Sequence, residues 1–96
     1  MAMPEIIVEK NLSEARLAEL GISSWNVWEC DVREFRLDMD EALERSYILE
    51  GEIVVTPDGG EPVTLVPGDY ITFPHGLKSV WSVTKQLRKH YTHDAE

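Results

Sequence analysis

The sequence predicts an all-β fold, a compact antiparallel jelly roll with one short N-terminal helix, and three observations predict it. Short apolar runs of strand character recur at close spacing between Phe35 and Tyr91. Gly- and Pro-containing turns punctuate them at Pro57-Asp58-Gly59-Gly60, Pro67-Gly68-Asp69 and Pro74-His75-Gly76. The 96 residues supply one modest core and no second one, so the strands are expected to form two sheets that cover each other. The expected organisation is a single domain over 1–96, with an N-terminal arm (1–24), a barrel (25–91) and a frayed tail (92–96).

Taken in order, Ile6-Ile7-Val8 is a short strand candidate. Asn11 and Ser13 then offer caps for SEARLAEL, a two-turn helix that ends at Gly21 and is too short to be stable without packing. Trp25 and Trp28 sit in a segment of broken alternation, which fits a core edge or a subunit contact better than a ligand platform. From Phe35 the alternation is clean, with Phe35, Leu37 and Met39 on one face and Arg36, Asp38 and Asp40 on the other. Residues 41–45 read as a polar connection, followed by strands at 47–49, 52–56, 62–66, 70–73, 77–84 and 86–91. In the strand from Leu77, the residues Leu77, Ser79, Trp81 and Val83 share a face.

Composition narrows the function classes. Eighteen acidic side chains against nine basic ones give a net charge of -9, which repels phosphate backbones and anionic membrane surfaces and argues against both partners. One cysteine, Cys30, provides no disulfide framework and reads as a small buried apolar residue. The first residues lack a basic, then long apolar, leader, and no stretch is long enough to span a bilayer, so a cytoplasmic location is the expectation.

Glu44 followed by Gly51, and Gly68 followed by Pro74 and Gly76, resemble the framework halves of the two cupin motifs, G-x5-H-x-H-x(3,4)-E-x6-G and G-x5-P-x-G-x2-H-x3-N. The strings YILEG, GDYITFP and RKHY and the WNVW segment look like a group of small single-domain cupins of unassigned function. That group is akin to the cupin modules of ureidoglycine aminohydrolases and ethanolamine-utilisation proteins. The resemblance implies an antiparallel double-stranded β-helix and a homodimer.

In metal-bearing cupins, three histidines and the glutamate of these motifs hold a divalent ion. Here the second-motif histidine position is Ser79, and the first-motif pair is Leu37 and Met39 or, with a shorter spacer, Asp38 and Asp40. Strand phase favours Leu37 and Met39, because they share the apolar face that a small barrel turns inward. That leaves one carboxylate and no imidazole, too few ligands for a transition metal, and the expected cofactor is none. An oxygen-only divalent site from Asp38, Asp40 and Glu44 is the alternative.

His75, His90 and His93 each read as turn, structural or tail residues. A buried Glu44 is expected to have a raised pKa unless Arg33, Arg88 or Lys89 pairs with it, and it is the one candidate acid or base. Three function classes follow. The favoured one is metal-free binding of a small polar metabolite by Leu37, Met39, Glu44, Ser46, Ser79, Trp81, Tyr91 and Trp28. The others are an enzyme of aminohydrolase, isomerase or epimerase type, and a structural or regulatory dimer module with a filled barrel.

Overall fold

The computed structural model describes residues 5–39 and 42–95. In chain order, β1 (Ile7–Glu9) leads to α1 (Glu14–Leu20) and a single 3-10 turn (Ile22–Ser24). Then come β2 (Asn26–Cys30), β3 (Arg33–Asp38), β4 (Ala42–Pro57), β5 (Val63–Leu65), β6 (Tyr70–Phe73) and β7 (Lys78–Ala95). The helix starts where expected because the Ser13 hydroxyl accepts from the Arg16 amide. It stops because Gly21 takes a left-handed conformation and returns its N–H to the last carbonyls.

All strand pairs are antiparallel, and the two long strands organise the jelly roll. Residues 44–47 of β4 pair with β6, which pairs with β1, while residues 53–55 pair with β5. The first part of β7 pairs with β3 and its later part with β2. Each long strand therefore serves both layers, and β4 and β7 run side by side along most of their length.

Sequence alternation read β4 and β7 as two strands each, with 41–45 as a connection and 92–96 as a frayed end. The structure corrects this, and the reason is a bulge. The β4–β7 register shifts between Ile48 and Ile53, so the buried positions of β4 change phase from Glu44, Ser46 and Ile48 to Ile53 and Val55. Gly51 sits at that corner with φ +90°, and a Cβ there would lie 2.1 Å from the Gln86 carbonyl oxygen. Only a glycine lets the two backbones approach so closely. At the other end, β7 continues through His93 because Ala42–Arg45 of β4 pair with it.

The core is built from Ile48, Ile53, Val55, Leu65, Ile71, Phe73, Trp81, Val83 and Leu87, each almost fully buried. Met39 and Cys30 complete it, and Trp28, Phe35 and Leu37 pack against it half-buried. Met39 is held at the strand end by backbone bonds to Leu77 and Gly76. Gly76 makes its bond at φ +88°, and this is the turn that the second motif half encodes. Among the described residues no helix is long and apolar enough to cross a membrane.

Candidate functional site

One end of the barrel is not filled. A cavity of about 240 Å³ is lined by Trp28, Phe35, Leu37, Glu44, Trp81, Lys89, Tyr91 and His93. Pleating explains the membership. Lys89, Tyr91 and His93 alternate on one face of β7, and the register sets Glu44 opposite His93 and Ser46 opposite Tyr91. Trp28 comes from β2 opposite Lys89, and Phe35 from β3 opposite Trp81.

The polar part of the wall is a connected network. Lys89 Nζ lies 2.5 Å from Glu44 Oε2, the Ser46 hydroxyl donates to the same oxygen at 2.7 Å, and Lys89 also donates to Ser46 Oγ at 3.3 Å. His93 Nε2 lies 3.0 Å from Glu44 Oε1. Glu44 and Lys89 are 5% and 3% exposed, whereas the His93 side chain is 53% exposed and marks the mouth. Around the ammonium stand four rings, with Trp81 4.4 Å, Trp28 5.1 Å, Phe73 5.7 Å and Tyr91 5.9 Å from Nζ to centroid.

The electrostatics follow from these contacts. Burial pushes the Glu44 carboxyl up, but the charge and hydrogen bond of Lys89, with Ser46 and His93, outweigh it and hold the group below the usual carboxylate range. Burial pulls the Lys89 amine down, and Glu44 offsets that only in part, so the amine sits below an ordinary lysine. Of the three cations considered as partners for Glu44, Lys89 takes the role. Arg33 lies over the Phe35 ring and Arg88 faces Glu29.

The cavity brings together Leu37, Glu44, Trp81, Tyr91 and Trp28 from the residues singled out in the sequence. Met39, Ser46 and Ser79 lie behind its wall. Met39 is in the core, Ser46 braces Glu44, and Ser79 is occupied in accepting from Trp81 Nε1 at 3.0 Å and donating to the Leu37 carbonyl at 3.2 Å. Lys89, His93 and Phe35 join them. Lys89 lies within the strand expected at 86–91 and is one of the three possible partners named for Glu44, whereas the odd-numbered spacing that would have added His93 is cut by ending that strand at Tyr91. His90 does face the other way, with its Nδ1 against the Trp25 carbonyl oxygen.

The positions at which metal-bearing cupins carry their ligands do not fit a metal here. Leu37, Met39 and Ser79 bring no donor into the cavity, and both oxygens of Glu44 are engaged, one of them by an ammonium group. Of the oxygen-only alternative, Asp38 faces Arg36 and Lys78, Glu44 faces Lys89 and His93, and Asp40 lies outside the described residues. Among the described residues no cluster of three metal-ligating side chains occurs.

Residues 17–91 match the family model described as the EutQ-like cupin domain. A crystal structure of a DUF861 family protein from Thermotoga maritima superposes with a TM-score of 0.88 at 38% identity, covering 94% of this chain and all of that one. The Clostridium difficile EutQ protein superposes at 0.65 with 22% identity, covering 94% of this chain and 68% of that one. A putative ethanolamine utilization protein Q from Salmonella typhimurium gives 0.63 at 20% identity, covering 92% and 68%. The last two likenesses concern the fold alone. No curated protein matches the chain.

Proposed function

Given that the chain belongs to the EutQ-like cupin domain family, we propose that it binds a small polar molecule, without a metal, in the cavity over Glu44 and Lys89. The observation that carries this reading is the placement of a buried ion pair on a cavity wall. Removing two charges from water costs more than packing two apolar side chains there, so stability alone does not account for the pair. A concave aromatic space with a few convergent polar groups is what a small ligand needs. The rings supply contact area, and the Glu44–Lys89–His93 network supplies orientation.

Trp28 and Trp81 are built-in reporters. A panel of small alcohols, amides, aldehydes and carboxylic acids is to be scanned by tryptophan fluorescence and thermal shift, first on the native chain and then on Leu37→Trp, which fills the cavity. The reading expects at least one compound that acts on the native chain and loses its effect in the variant. It is wrong if no compound acts, or if every compound acts on both proteins alike.

We also propose a homodimer. Its support is the apolar surface beside β2, which ends the path of paired strands among those described, where Val27 and Val32 are 47% and 64% exposed. A small-molecule ligand and a second copy of the chain are thus the partners this reading names.

A further inference from the structure

We propose that Lys89 is a nucleophilic amine that captures a small uncharged aldehyde as an imine inside the cavity; this inference rests on the pocket reading above. The case is geometric. Lys89 lines the cavity, its Nζ is enclosed by four rings, and Glu44 stands 2.5 Å away with Ser46 behind it. Lys89 thus borders the cavity while its amine is held out of bulk water beside a proton acceptor. Burial also pulls the amine below the ordinary lysine range, which raises the fraction of free amine at neutral pH.

The step balances within the site. Glu44 Oε2 takes one proton from the Lys89 ammonium, and the freed lone pair adds to the carbonyl carbon. The C=O π pair becomes an alkoxide, which takes up the proton shed by nitrogen and gives a carbinolamine. Glu44 returns its proton to the hydroxyl, the C–O bond breaks, and water leaves as the nitrogen lone pair forms the C=N bond. Ammonium plus aldehyde gives iminium plus water, and no oxidant or reductant is consumed. The product keeps one positive charge, so the four rings and Glu44 that surround the ammonium serve the iminium equally.

The walls select the class. Apart from Lys89 and His93, the lining is Trp28, Phe35, Leu37, Trp81, Tyr91 and the anionic Glu44. Lys89 and His93 both already face Glu44, so among the described lining residues no uncommitted cation stands ready for the carboxylate of an oxo acid, and the net charge of -9 repels anions at a distance. An uncharged aldehyde meets neither obstacle.

The test uses butyraldehyde and pyruvate as probes at neutral pH with sodium cyanoborohydride, read by intact mass and peptide mapping, with tryptophan fluorescence recorded before reduction. Trapping adds the mass of the aldehyde less one oxygen atom. The exposed Lys78 and Lys85 are internal references, and Lys89→Arg keeps the cation but lacks the amine. The proposal expects butyraldehyde to label the enclosed Lys89 more strongly than the exposed Lys85, the reverse of the order that access alone would give. Lys89→Arg is to lose that label alone, and pyruvate is to label Lys89 weakly. Equal labelling by pyruvate overturns the uncharged class. A fluorescence change with butyraldehyde but no label at Lys89 overturns the imine and leaves the pocket intact. Neither signal, with Lys78 and Lys85 labelled, overturns both.

Discussion

Glu44→Gln isolates the ion pair with the least change of shape. In the native chain both Glu44 oxygens are engaged, one by Lys89 and Ser46 and the other by His93. The amide keeps one acceptor but turns a donor toward groups that are themselves donors, and it leaves Lys89 as a buried cation without a counter-ion. Breaking one partner of a buried pair costs about 3–5 kcal/mol. The chemistry also sets a ceiling, because the orphaned lysine can shed its proton. At pH 7 that costs on the order of 4–5 kcal/mol for an amine whose unfolded value is ~10.4, and at pH 9 only about 2 kcal/mol.

The sign follows from linkage. With Glu44 gone, the largest influence opposing burial is lost, so the folded value of Lys89 lies further below the unfolded one. The unfolded chain then binds more protons across that window, and stability rises with pH. Thermal unfolding followed by circular dichroism should show a midpoint lower by roughly 15–25 °C at pH 7, with the gap to the native chain narrowing toward pH 9. The pair Glu44→Leu with Lys89→Met should recover most of the loss, since matched apolar replacement of a buried pair is often neutral. A single variant within about 5 °C of the native chain at pH 7, or a gap that does not change with pH, would refute the assignment of a buried charged pair.

Three further outcomes follow. On the acid side the native chain should lose stability as pH falls through the depressed Glu44 value. That contribution is fully present above the unfolded carboxylate value of ~4.3, and Glu44→Gln should lack this limb in acid titrations of the unfolding midpoint. Gly51→Ala and Gly68→Ala share a positive φ, near +90°, but differ in space. A Cβ at Gly51 meets backbone at 2.1 Å while one at Gly68 meets nothing within 4 Å, so urea titration should give about 1–2 kcal/mol for Gly68→Ala and more than about 3 kcal/mol for Gly51→Ala. Sedimentation at micromolar concentration should give twice the 11.0 kDa chain mass, reduced to the monomer by Val27→Lys with Val32→Lys, and a monomeric native chain would sink the dimer proposal.

The fold was legible because its signals are local. Turn residues at Pro57–Gly60, Pro67–Asp69 and Pro74–Gly76, the caps Ser13 and Gly21, and the alternation of Phe35, Leu37 and Met39 each act within a few residues. What escaped is the continuity of β4 and β7, because a bulge inverts side-chain phase without any local break in strand character. The same Gly51 that completes the motif at its corner conceals that Glu44 and Val55 belong to one strand.

That miss propagated to the site. With 41–45 read as a connection and 92–96 as a tail, Glu44 had no cross-strand neighbours, and the register that sets it opposite His93 could not be drawn. Lys89 was visible only as one of three possible cations, since choosing among Arg33, Arg88 and Lys89 requires knowing which face of which strand each occupies. At the motif positions the sequence offered one carboxylate and no imidazole, which led to the expectation of no metal but did not single out the group that pairs with that carboxylate. In the structure that group is a cation carried by the protein itself. Lys89 now stands against the glutamate oxygen that a metal ion would engage in a metal-bearing cupin, and the two tests that matter most, pair stability and amine reactivity, both bear on that one nitrogen.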